Sequence, residues 1–169
     1  PPAAKPPLEL FRPVWSPAFY RVLNHHQHVR SFAAAAGDKA LEVTQPAPNR
    51  WRVSTGGDAA TTVTYTLHCA RGSVTDNQIS DTFAACCGPA TFVGEVGAGP
   101  RPHVVTVALP PEWPSVATGL PPQGGTANTF VARDYDWLLD SPLVQGRLSD
   151  LVGTCTRRGG GTSHQTSRR

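Results

Sequence analysis

The sequence predicts an all-β fold of antiparallel sheets, arranged as a sandwich or a saddle, with one short helical turn near residues 134–140. Three observations carry this. Thr61 to Cys69 alternates strictly, with Val63, Tyr65, Leu67 and Cys69 on one side and Thr62, Thr64, Thr66 and His68 on the other, the period-two pattern of a half-buried strand. Seventeen Pro and sixteen Gly break the chain into short pieces and leave little room for long helices. Finally, short apolar runs recur between turn clusters, which is how stacked antiparallel sheets read.

Leu8 to Arg12, Tyr20 to Leu23, Val29 to Ala34, Ala40 to Thr44, Arg50 to Ser54, Ala90 to Val93 and Thr129 to Ala132 read as strands. So does His103 to Leu109, which Pro110 and Pro111 stop because proline cannot donate to a ladder. Turns fall at Gly37 and Asp38, at 45–49, at 55–58, at 97–102 and at 121–125. Asp134 to Asp140 breaks the pattern: Asp134 is placed to cap a short helix, Pro142 to stop it, and Tyr135, Leu138 and Leu139 suit a plug on a sheet edge.

The 169 residues, 39% of them hydrophobic, make one domain with a real core. The expected division is a β-rich domain over 1–146 and a Gly/Ser/Arg-rich tail over 147–169, expected to be disordered. The net charge of +3 belongs to that tail: residues 151–169 hold Arg157, Arg158, Arg168 and Arg169 and no acid, which leaves eleven basic residues against twelve acidic ones before them. A near-neutral body without a basic stripe argues against a nucleic-acid partner. No apolar run reaches the ~18 residues of a membrane span, and residues 1–7 lack the apolar stretch of a secretion signal. The missing initiator Met reads as a start downstream of a natural one, or as processing. Cys86 and Cys87 are vicinal and do not match C-x-x-C. With Cys69 and Cys155 they read as free thiols in a reducing compartment, and a Cys69 disulfide to one of the pair stays open.

Catalytic motifs are missing where they would be decisive. None of the six His begins H-E-x-x-H, the pair of ligands and base that activate a zinc-bound water. G-x-S-x-G, the P-loop and G-x-G-x-x-G are also absent. An extended chain would put His26 and His28 on one face ~6.5–7 Å apart, but no third donor is fixed by spacing, and a solvated or loosely packed edge is the expected state. Asp134, Asp136 and Asp140 lack EF-hand spacing and read as a cap plus contacts to a neighbouring surface. Pro13 and Pro17 hold Trp15 in a rigid extended loop, expected to line the core, with presentation to a partner domain as the alternative.

Taken in order, these segments resemble the N-terminal domain of the glycyl aminopeptidase family of zinc metallopeptidases. Pro13, Trp15, Ser16, Pro17 and Tyr20 resemble its P-x-W-[TS]-P-G-x-Y segment. Further resemblance lies in His28 to Phe32, in Leu41 to Val43 with Asn49 to Val53, in Val63 to Tyr65, in Phe83 to Phe92 around Gly88, and in Leu109 to Trp113 with Ala117 to Pro121. Phe130 to Pro142 with Gly146 matches the closing motif best. Ala18 and Phe19, His25 and His26, and Cys86 and Cys87 depart from the family's pattern. The similarity stops after Gly146, and residues 147–169 read as a truncated or frame-shifted end.

The resemblance implies a non-catalytic domain that packs against a catalytic metallopeptidase domain and shapes one wall of the cleft where complete members remove N-terminal residues. Zinc is expected only in a complete member, so no cofactor, catalytic residue or metal ligand is assigned here. Tyr135, Asp136, Asp140, Ser141 and Pro142 are the candidate docking surface, with Trp15, Pro17 and Tyr20 as a structural loop. The expected location is cytoplasmic. A free-standing β-module for peptide or carbohydrate, with a groove lined by Trp15, Trp51 or Trp113, is the rival reading. A decayed remnant is the third.

Overall fold

The computed structural model describes residues 6–17, 19–55, 60–69 and 72–148. β1 (Leu8–Phe11) is followed by a 3-10 turn (His25–His28), and β2 (Val29–Ala36), β3 (Lys39–Leu41), β4 (Val43–Ala47), β5 (Arg50–Val53) and β6 (Thr61–Leu67) come next. The second half runs β7 (Gln78–Ile79), β8 (Phe83–Cys86), α1 (Gly88–Thr91), β9 (Gly94–Glu95), β10 (His103–Thr106), β11 (Ser115–Thr118), β12 (Thr129–Ala132), α2 (Tyr135–Leu139) and β13 (Leu143–Gly146).

These strands form antiparallel sheets in the orders β4-β5-β1-β9, β3-β2-β6, β11-β13-β8-β7 and β10-β12. The fold is therefore all-β with two short helices, as the turn-rich sequence implies. The first two sheets close on a core of Leu10, Ala34, Trp51 and Val53, flanked by Phe32 and Val63. Phe32 stacks on Trp51 with ring centroids 4.4 Å apart, adding to the burial of two large rings. A second core of Leu120, Ala132 and Leu138 lies under α2, with Phe92, Phe130 and Trp137 packed on it.

The alternating segment forms β6 and pairs with β2 from Phe32 opposite Tyr65 to Ala36 opposite Thr61. Pro46 lies in β4, at a sheet edge beside an irregularity in the β4–β5 ladder, where a missing N–H costs least. Asp134 caps α2, its Oδ1 accepting from the Trp137 backbone N–H at 2.7 Å.

Two expected strands are not strands. Residues 20–23 bond locally instead, with Arg21 N–H donating to Phe19 O and Leu23 N–H to Val14 O. At 90–93 the chain completes α1 at Thr91 and leaves it extended at Phe92, because Pro89 presets a helical first turn. Conversely, β8 and β13 pair in the middle of their sheet, and their sequences do not alternate. The expected tail lies outside the described residues beyond 148.

Candidate functional site: a buried arginine, a groove and a concavity

Arg12 ends β1 and is fully buried. Its guanidinium donates to the carbonyl of Ala90 and, at 3.2 Å, to that of Thr91, and it lies 5.4 Å from the centroid of the Tyr65 ring. Those carbonyls close α1 and have no intrahelical donor. Asn77 Nδ2 also donates to Ala90 O at 3.1 Å, and the Tyr65 hydroxyl to Thr91 O at 2.8 Å. Asn77 Oδ1 accepts from Cys87 N–H at 2.8 Å and from Thr91 Oγ1 at 3.1 Å. β1, β6, α1 and the loop before β7 are thus tied at one buried polar junction. Burial lowers the pKa of Arg12 and raises that of Tyr65. Sequence reading missed Arg12 and Asn77, since neither stands in a motif.

The histidine cluster departs from the expected solvated or loosely packed edge at His25, and it is not extended. His25, in the 3-10 turn, is 1% exposed. Its Nδ1 lies 3.3 Å from Asp76 Oδ1, while His28 Nε2 lies 3.8 Å from the same oxygen. Burial, reinforced by the nearby Arg12 and His28 and opposed by Asp76, lowers the pKa of His25. The turn curls because Gln27 N–H returns to Asn24 O, and so His26 and His28 do not share a strand face.

Zinc does not fit these residues. His25 Nδ1 is occupied by Asp76, and no group of three or more His, Cys, Asp or Glu able to hold a metal exists among the described residues. Cys69, Cys86 and Cys87 are free and half-buried. Burial, with Cys69 and Cys87 close by, pushes the Cys86 thiol up to about 11, far from the thiolate a reactive cysteine requires. Cys155 lies outside the described residues.

The Pro13–Leu23 loop overturns the core-lining expectation. Pro13 and Ser16 are buried and root it, but Trp15 is 44% exposed, Tyr20 fully exposed, and Pro17 exposed. The short segment lets only its base reach the core, because the local bonds at Phe19, Arg21 and Leu23 fold the rest outward. Of the other Trp residues, Trp51 is buried and Trp113 half-buried.

The predicted docking residues separate. Asp140 and Pro142 line a groove of about 220 Å3 together with Pro17, Val74 and Cys87. Tyr135 and Asp136 face a different concavity of about 730 Å3, shared with Phe11, Glu95 and His103. There Tyr135 meets Phe11 edge-on at 5.9 Å and its hydroxyl donates to Phe92 O at 3.2 Å. Burial raises the pKa of the Tyr135 phenol and lowers that of His103, so that both sit neutral near pH 7. Ser141, expected on the same surface, is only 4% exposed: the chain turns inward there to enter β13.

The described residues thus make an all-β domain with a groove and a larger concavity beside a short capped helix. The chain belongs to the peptidase M61 N-terminal domain family, whose sequence model matches residues 1–147. It is also similar to the crystal structure of an aminopeptidase N family protein from Idiomarina loihiensis, at 25% identity and a TM-score of 0.80. That likeness covers 92% of this chain but 27% of the other, so this chain spans about a quarter of that protein's length. Among curated proteins none matches. No helix among the described residues is long and apolar enough to cross a membrane.

Proposed function

We propose that this chain is the non-catalytic N-terminal module of a metallopeptidase, which packs against a catalytic domain and forms one wall of its substrate cleft. The observation that carries the reading is its extent: an N-terminal peptidase domain matched over residues 1–147 that accounts for 27% of a much longer similar protein. Metal ligands and general base would belong to the catalytic domain, where zinc supplies an activated water. This module would instead position the N-terminal residue of a peptide. Its partner is thus a protein domain, with no role for nucleic acid or membrane, and three free thiols accord with a cytoplasmic location.

A second reading, a free-standing module for peptides or carbohydrates, draws on the 730 Å3 concavity with Phe11 and Tyr135 in its wall. One chimera separates the two. The matching segment of the Idiomarina loihiensis protein is replaced by this chain, and release of N-terminal residues from small peptides is measured. The expected outcome is chelator-sensitive activity in the chimera and none in this chain alone, even with added zinc. Turnover by the isolated chain, or a chimera no more active than the relative with its segment deleted, would reject the module reading.

A further inference from the structure

The Pro13–Leu23 loop exposes apolar side chains in a way its local order does not explain. Ser16 and Phe19 form a β-bridge, Leu23 N–H reaches Val14 O at 2.7 Å, and the Arg21 guanidinium lies 4.6 Å from the Phe19 ring centroid. The loop is therefore closed on itself, and its root hangs from the buried Arg12 and Pro13. Yet Trp15, Tyr20 and Val22 project from it at 44%, 100% and 72% exposure, and Val74 in the facing loop is 91% exposed. Pro17 and Val74 line the same groove as Asp140 and Pro142, so the two loops and the end of α2 meet there. A preorganised loop that holds Trp and Tyr in water has already lost the entropy an interface would otherwise cost, and these two residue types dominate interface hot spots.

We infer that the groove rimmed by Pro17 and Val74, together with the loop that carries Trp15, Tyr20 and Val22, is where the catalytic domain of the same peptidase seats, an inference that rests on the module reading above. The similar protein devotes nearly three quarters of its length to polypeptide this chain does not match, and a contact between domains of one chain is built like a transient protein–protein interface, with aromatic side chains enriched at its centre. Of the expected docking residues, Asp140 and Pro142 belong to this interface. Tyr135 and Asp136 lie in the larger concavity, outside it.

Hydrogen exchange tests this, comparing the free chain with the same chain inside the Idiomarina loihiensis chimera. Residues 13–23 and 72–77 are expected to exchange at least tenfold more slowly in the chimera. The double substitution Trp15→Ser with Tyr20→Ser should abolish that protection while leaving the melting temperature of the free chain unchanged. Val104→Ser, at an exposed valine of β10 that lines neither this groove nor the Tyr135 concavity but a separate hollow with Tyr65 and Leu138, should leave the protection intact. An active chimera whose two loops exchange as in the free chain would overturn the assignment of this face while sparing the module reading; an inactive chimera without protection anywhere would remove both. Sedimentation supplies a further outcome: a dimer of the free chain that dissociates on the double substitution would make a second copy the occupant and overturn the inference.

Discussion

Arg12 and His25 show how single side chains in this domain are decided by burial. A guanidinium taken fully out of water is costly unless its donors are used. Arg12 spends its two terminal nitrogens on carbonyls at the end of α1 and lies over the Tyr65 ring, holding three elements together, while its buried Nε has no hydrogen-bond partner among the described residues. His25 is a different case. Burial lowers its pKa below the ordinary 6.5, so the unfolded chain takes up this proton more readily than the folded one. Stability contributed by neutral His25 is then fully present above pH 6.5 and is lost as pH falls from there toward the folded-state value. Asp76 favours the charged form and outweighs the opposing Arg12 and His28, but it offsets the cost of burial only in part. Thermal melts at pH 7.5 and pH 5.5 should show the native chain losing stability at the lower value, and His25→Gln should flatten that dependence. An equal loss in the variant would mean that another group carries it.

α1 and α2 are too short to persist as isolated helices and exist because each is fixed against the other. Gly88 makes this possible: a Cβ there would lie 2.6 Å from the Leu139 Cα, inside the backbone of α2. Gly88→Ala should therefore cost about 2–3 kcal/mol, in the range of overpacked cores. Asp134→Ala, which removes only the cap on α2, should cost about 1 kcal/mol. Urea unfolding of both variants checks the order, and a Gly88→Ala loss no larger than that of Asp134→Ala would contradict the backbone contact. A similar constraint acts at Gly146, where φ is +133° and an added Cβ would lie 2.8 Å from the Phe83 Cα. This is how β13 approaches β8 closely where Gly146 pairs with Phe83.

One apolar cluster closes two of the sheets, a second packs β10 and β12 under α2, and the Arg12 junction ties β1 and β6 to α1, which rests on α2. Mutual dependence of this kind predicts one cooperative thermal transition over the described residues. A broad or multi-step melt, with exchange protection confined to one sheet, would favour a decayed remnant over a maintained domain. The proposed docking face adds a second expectation at this level, since its exposed apolar side chains belong to a surface awaiting a partner rather than to the core.

Local chemistry alone enforces the features that could be read in the sequence. The alternation of β6, the cap at Asp134 and the stop before Pro142 depend on neighbours one to four residues away and stand as read, whereas β10 ends at Thr106, before Pro110 is reached. β8, β13 and α1 could not be read, because Phe83 to Cys86, Leu143 to Gly146 and Gly88 to Thr91 take their form from partners distant in the chain. The motif series around Trp15 and Asp134 was likewise enough to indicate the family. Which of those motif residues face water, however, rested on packing: Ser141 turns inward, Trp15 and Tyr20 turn outward, and His25 disappears beneath Asp76. Exposure is a property of what the rest of the molecule leaves uncovered, and no local pattern contains it.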